Sequence, residues 1–187
     1  MNRGAGVHAG VRHGIVVAVK TLYLMRHAKS SWDEPDVDDQ QRPLATRGER
    51  AARRMVKHMR ERGISPAMVI CSSARRAVQT LELLKPALAK DATVAVEDAL
   101  YLASTADLRR RVQQVDASID SLMLIGHNPT MQSLATTLAR RGAARDRVAA
   151  DFPTAALATL TIDRERWKDV TAGDAELIEL VVPRELA

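Results

Sequence analysis

The chain has 187 residues, 46% apolar and 27% charged, with one cysteine. That is enough for a single domain with a buried core. It excludes an internal disulfide framework, and no apolar run approaches the roughly 18 residues that cross a bilayer. A net charge of +5 points to an anionic partner, for which nucleic acid, a phosphorylated substrate and a membrane surface all qualify.

Residues 1–19 are Gly-rich and lack a helical or strand period, so they read as a flexible extension ahead of one domain over residues 20–187. The stretch "GIVVAV" is too short for a signal-peptide core and no small-residue cleavage site follows, which with the lone Cys71 predicts a cytoplasmic protein. "TLYLM" (21–25) reads as a buried strand, and the acidic loop "DEPDVDDQQRP" follows it as solvated chain. "TRGERAARRMVKHMRERG" reads as a helix with Thr46 as N-cap and Gly63 as its stop. Then come a strand "AMVICS", a helix "SARRAVQTLELLKPALAK" capped by Ser72 or Ser73 and broken before Pro86, and a short strand "TVAVE". A helix "TADLRRRVQQVDASI", an apolar strand "SLMLI" and a helix "TMQSLATTLARR" lead to the closing strands "AALATLTI" and "AELIELVV". Arg140, Arg141, Arg145 and Arg147 read as a solvated helix end and loop. This alternation predicts a three-layer α/β/α sandwich with a mostly parallel central sheet.

In such folds ligands bind beyond the carboxyl ends of the strands. After "TLYLM" come Arg26 and His27. After "AMVI" come Cys71, Ser72 and Ser73, then Arg75 and Arg76. After "SLMLI" come Gly126, His127 and Asn128. Two cations, two imidazoles and backbone amides at helix starts suit a tetrahedral phosphoryl group. The chain also holds Arg12-His13, but the Gly-rich sequence before it offers no strand to hold His13, so His27 is the expected working copy. His8 and His58 read as exposed, Cys71 as a small core residue, and Trp32 as either a shelter for the pocket or a cover for the core.

The stretches "LYLMRHAKSSW", "RPLATRG", "SSARRAVQT", "LIGHNPT" and "FPTAALATL", in that order, resemble the histidine phosphatase superfamily, also called phosphoglycerate-mutase-like, and within it the small SixA-type phosphohistidine phosphatases. The resemblance runs from about Thr21 to Leu186 and implies the phosphoglycerate-mutase-like fold. It assigns His27 as nucleophile, Arg26 and Arg76 as phosphate-binding, and His127 as the second histidine on the phosphoryl oxygens. Arg75 falls on another face of its helix. Lys29, Ser30, Ser31 and Asn128 are candidate substrate contacts. Ala28 stands where the superfamily usually has glycine, so an ordinary φ or a shifted turn is expected there.

A neutral His27 would attack phosphorus, Arg26 and Arg76 would lower its pKa, and water would then hydrolyse the phosphohistidine formed on it. No cofactor and no metal site are expected. Larger superfamily members carry a carboxylate acid between the second arginine and the second histidine. Here that stretch is mostly helix and strand, and Glu97 and Asp98 are the carboxylates to consider as a general acid. The expected reaction is hydrolysis of protein phosphohistidine. A small-molecule phosphomonoesterase, a mutase and a silent phosphate-binding module are the alternatives. A phosphorylated protein or small phosphorylated molecule is the expected partner. Nucleic acid is not, since only 3% of residues are aromatic and no basic stripe appears, and neither is a membrane; the oligomeric state stays open.

Overall fold

The computed structural model describes residues 11–12, 15–16, 19–33 and 36–186. Val11–Arg12 (β1) and Ile15–Val16 (β2) pair antiparallel in a ladder of their own. The sequence reading expects no strand there; the β-branched valines and isoleucine supply the tendency it discounts. His8 and His13 lie outside the described residues.

The main sheet has the order β5-β4-β6-β3-β7-β8. It is built from β3 (Val19–Arg26), β4 (Met68–Ser72), β5 (Thr93–Glu97), β6 (Ser121–Gly126), β7 (Leu157–Asp163) and β8 (Ala175–Val181). β3 to β6 run parallel, while β7 and β8 are antiparallel additions on one side. Helices cover both faces, which is why the middles of the central strands, Leu22–Met25, Met68–Cys71 and Leu122–Ile125, read as largely apolar runs rather than alternating. Along β3, Leu22 and Leu24 join one core cluster and Tyr23 and Met25 the other; β6 divides Leu122 and Leu124 from Met123 and Ile125 in the same way. The first layer holds α3 (Thr105–Gln113), α4 (Thr130–Leu138) and α5 (Ala143–Ala150), packed through Leu108, Val112, Leu134 and Val148. The second holds α1 (Thr46–Glu61) and α2 (Arg75–Leu84), packed through Ala52, Met55, Met59, Ala77 and Leu81.

The helix ends depart from the sequence reading. α1 begins with Ala45 as N-cap and Thr46 already helical. α2 begins after Ala74, because Ser72 is wholly buried and turned toward His127 instead of capping. α3 is capped by Ser104, whose hydroxyl accepts from the Asp107 N–H while the Asp107 carboxylate accepts from the Ser104 N–H. α5 is a helix where loop was expected; its single buried residue, Val148, leaves no apolar period to read. Gly63, at φ +65°, ends α1 as expected. Cys71 is buried, and burial pushes its thiol up to about 12, which fits a core residue. Among the described residues no helix is long and apolar enough to cross a membrane.

Candidate active site

The parallel register sets the carboxyl ends of three strands side by side. Arg26 pairs with Gly126, and Cys71 and Met25 both pair with Ile125. The next residues, His27, Ser72 and His127, therefore emerge together at the carboxyl ends of three interior strands. The His27 N–H donates to the Gly126 carbonyl at 2.9 Å. The N–H of Ala155 donates to the carbonyls of both Arg26 and His27, at 3.0 and 3.1 Å. Ala155 holds this position at φ +60° and is the one non-glycine residue of positive φ among the described residues. Ala28 therefore keeps an ordinary φ, and its N–H donates to the Thr80 hydroxyl at 3.0 Å. Thr80 in turn donates to the Arg76 carbonyl at 2.7 Å, tying α2 to the turn after β3.

His27 is 8% exposed. Its Nδ1 lies 2.7 Å from the Ala28 carbonyl oxygen. A carbonyl only accepts, so Nδ1 carries the proton and Nε2 keeps its lone pair. Arg76 Nε donates to that nitrogen at 3.3 Å. Burial is the main reason the His27 pKa drops to about 3; the Ala28 carbonyl opposes the drop, and His127, Arg76 and Arg26 add to it. The sequence reading credited the arginines, which are the lesser cause.

The His127 ring lies 5.0 Å from that of His27, centre to centre. Its Nε2 is 2.7 Å from the Ser72 hydroxyl and its Nδ1 is 3.5 Å from Arg76 Nη2. The guanidinium can only donate, so Nδ1 is bare and Nε2 donates to Ser72. Burial first, then Arg76, lowers the His127 pKa to about 4. Arg26 Nη1 donates to the Phe152 carbonyl at 3.0 Å, and its buried Nε has no protein partner. Asn128 Nδ2 donates to the same carbonyl at 3.1 Å.

Four predicted residues thus converge: Arg26, His27, Arg76 and His127. Others lie elsewhere. The Ser30 hydroxyl accepts from Arg42 Nη2, and Ser31 donates to Asp33. Lys29 lines a separate cavity of about 290 Å³ with Arg47, Ala51 and Thr154. Arg75 is exposed and donates to the Gln41 carbonyl. Both Glu97 oxygens are taken by Arg111, the shortest contact being 2.7 Å, and Asp98 is exposed at the start of a 3-10 turn. Trp32 does not cover the core: it is 71% exposed, with the Arg42 guanidinium 3.1 Å from its ring centre.

The sequence reading missed Asp39. It belongs to the acidic loop and forms a 3-10 turn, Asp39–Gln41. Its carboxylate accepts from Arg76 at 2.9 Å, from Tyr101 at 2.8 Å and from Arg42 at 3.1 Å. Burial resists ionisation, yet the hydrogen bonds from Tyr101 and Arg76 hold this carboxyl below the usual range. The Tyr101 ring stands edge-on to His127 at 5.7 Å. Among the described residues no three His, Cys, Asp or Glu side chains are grouped so as to hold a metal ion.

Comparison with known proteins identifies relatives of the chain and of its fold. The model of the histidine phosphatase superfamily (branch 1) matches residues 22–104. An uncharacterised protein of Mycobacterium tuberculosis is 35% identical over 165 residues, spanning 86% of this chain and all of that relative. Among solved structures, the candidate phosphohistidine phosphatase SixA of Nakamurella multipartitia superposes with a TM-score of 0.76 at 30% identity, covering 88% of this chain and 96% of that one. A second candidate SixA, from Agrobacterium tumefaciens, gives a TM-score of 0.74 at 26% identity, covering 88% and 99%.

Proposed function

This chain belongs to the histidine phosphatase superfamily and is a SixA-type phosphatase, and from that premise we propose that it hydrolyses protein phosphohistidine, without a metal, through a phosphohistidine formed on His27. The observation that carries the reading is the direction of the His27 ring. Nδ1–H is committed to the Ala28 carbonyl, which leaves a neutral Nε2 lone pair toward Arg76 and beside His127.

The Nε2 lone pair forms the new P–N bond as the bond from phosphorus to the leaving group breaks. Arg26 and Arg76 hold the equatorial oxygens as negative charge spreads over them. Water then attacks the same phosphorus, His27 leaves as neutral imidazole, and inorganic phosphate departs. An alkyl ester would leave as an alkoxide and need a proton. Two carboxylates are already engaged: Glu97 by Arg111, and Asp39 as an ionised acceptor of three hydrogen bonds. A protein phosphohistidine needs less help, because its imidazole leaves neutral once the ring is protonated.

The test is a panel comprising a phosphohistidine protein, an aryl phosphate, phosphoglycerate and a sugar phosphate, with rapid quench to trap the phosphoenzyme. Phosphate mapped to His27, a preference for phosphohistidine and aryl phosphate, and activity that survives a chelator are the expected results. Phosphate on any other residue overturns the mechanism. Comparable kcat/KM on phosphoglycerate overturns the substrate class and makes Asp98 the first acid to mutate. No turnover with retained phosphate binding would mark a silent binding module.

A further inference from the structure

We propose that Asp39 is a positioning residue that sets the orientation of Arg76 for phosphoryl transfer. The inference rests on the function proposed above and on the geometry of one guanidinium. Arg76 presents two edges. The inner edge faces the chemistry, with Nε 3.3 Å from His27 Nε2 and Nη2 3.5 Å from His127 Nδ1. The outer edge is gripped by one residue: Nη1 donates to the Asp39 carbonyl at 2.5 Å and Nη2 to its carboxylate at 2.9 Å. A planar guanidinium held along one edge has its other edge aimed.

Asp39 is itself fixed from two further directions. Tyr101 donates to Oδ2, and Arg42 donates to Oδ1. Arg42 is 6% exposed and anchored by the Ser30 hydroxyl and the Ser31 carbonyl. The orientation of Arg76 is thus referred to the loop after β3 and to the turn after β5, on both sides of the two histidines. A free arginine side chain populates many rotamers, and a fork that must meet phosphoryl oxygens works only from one of them.

The Asp39 side chain is 53% exposed, so its ion pair with Arg76 contributes little to folding. Its removal should therefore register in the reaction and not in the melting curve. Loss of a negative charge also leaves the pocket more cationic, so binding of a ground-state phosphate should not suffer as the transition state does. These two expectations separate positioning from a merely structural role and from competition with substrate for Arg76.

The experiment measures Asp39→Ala and Asp39→Asn in the full chain, alone and combined with Arg76→Lys. Steady-state rates on an aryl phosphate are read together with titrations of vanadate, which mimics the transition state, and of inorganic phosphate. Asp39→Ala should lower kcat about 10- to 100-fold, with a much smaller change in KM, a matching loss of vanadate affinity, little change for phosphate, and an unchanged melting midpoint. Asp39→Asn, which keeps one acceptor oxygen, should lose less. In the Arg76→Lys background, removing Asp39 should have little further effect, since a lysine has no fork to orient. Unchanged kcat and vanadate affinity, additive effects of the two substitutions, or a gain in kcat would each overturn the inference. If the wild-type chain turns over no substrate, the proposed function fails by itself, and the vanadate titrations still decide the role of Asp39.

Discussion

The pKa of about 3 at His27 and about 4 at His127 fixes how the protein should answer to pH. A nucleophilic imidazole must be neutral, and an exposed one becomes so only above about 6.5. Here kcat/KM, corrected for ionisation of the substrate, should show no enzyme limb near pH 6.5 and should stay level down to about pH 5. A limb near 6.5 that disappears in His127→Gln would contradict the burial argument. The same shifts bear on stability. Between the folded and unfolded pKa values the unfolded chain binds more protons, so stability is complete above about 6.5 and falls as pH drops toward 3. Denaturation at pH 7 and pH 5 should differ by about 2 to 4 kcal/mol from these two histidines, and His27→Gln should shrink the difference. At Arg76 the expectation is kinetic. Arg76→Ala should cost about 3 kcal/mol or more of transition-state stabilisation, roughly a 100-fold loss in rate, because a charge-assisted donor is removed from the spreading charge. Arg75→Ala, exposed and reaching only the Gln41 carbonyl, should cost far less.

Two element junctions next to His27 use small residues for opposite reasons. Gly48, in the first turn of α1, does not need positive φ; it needs space, because a Cβ there would sit 2.2 Å from the Lys29 carbonyl oxygen. Helix propensity favours alanine over glycine by about 1 kcal/mol, but overpacking against backbone costs about 1 to 3 kcal/mol. Gly48→Ala is therefore expected to destabilise on a urea curve and to lower activity by shifting the turn that carries His27. A stabilising result would mean that α1 moves freely at this end. Ala155 is the reverse case: an L-residue at φ +60° whose N–H ties the Arg26 and His27 carbonyls to the start of β7. Ala155→Gly should stay within about 1 kcal/mol of wild type, strain relief offsetting lost chain stiffness and the buried methyl. Ala155→Val should be clearly destabilising, since a β-branched residue tolerates that φ worst.

At the scale of the molecule, the chain between Arg76 and His127 is spent on α2, β5, α3 and β6, with no room for an added domain over the site. Trp32 and Leu102, 71% and 85% exposed, stand in the loop after β3 and in the turn after β5. With no added domain in that stretch to retain a free intermediate, mutase turnover on phosphoglycerate should be negligible beside hydrolysis of an aryl phosphate. The main sheet begins at Val19, and among the described residues β1 and β2 pair only with each other. A chain starting at Val19 should therefore melt with the full chain and keep its kcat; a large fall in midpoint would show that the preceding segment packs on the domain.

The apolar strands, the helices between them and the order Arg26-His27, Arg76, His127 were legible from the sequence, because strand and helix periodicity is written in neighbouring residues and the sites follow directly after strands. Helix ends were read less well: Thr46 and Ser72 have the chemistry of caps, yet the local turn begins elsewhere and Ser72 is drawn to His127. What only the tertiary structure decided is partnership across the chain. Asp39 and Arg76 are 37 residues apart, and Ser72 and His127 are 55 apart. An acidic loop reads as solvated when nothing in its own neighbourhood binds it. It becomes part of the site only because the strand order β4-β6-β3 sets β6 between the two strands whose following segments carry Asp39 and Arg76. The fall in the His27 pKa has the same origin, since burial is a property of the assembled core and no run of residues around position 27 contains it.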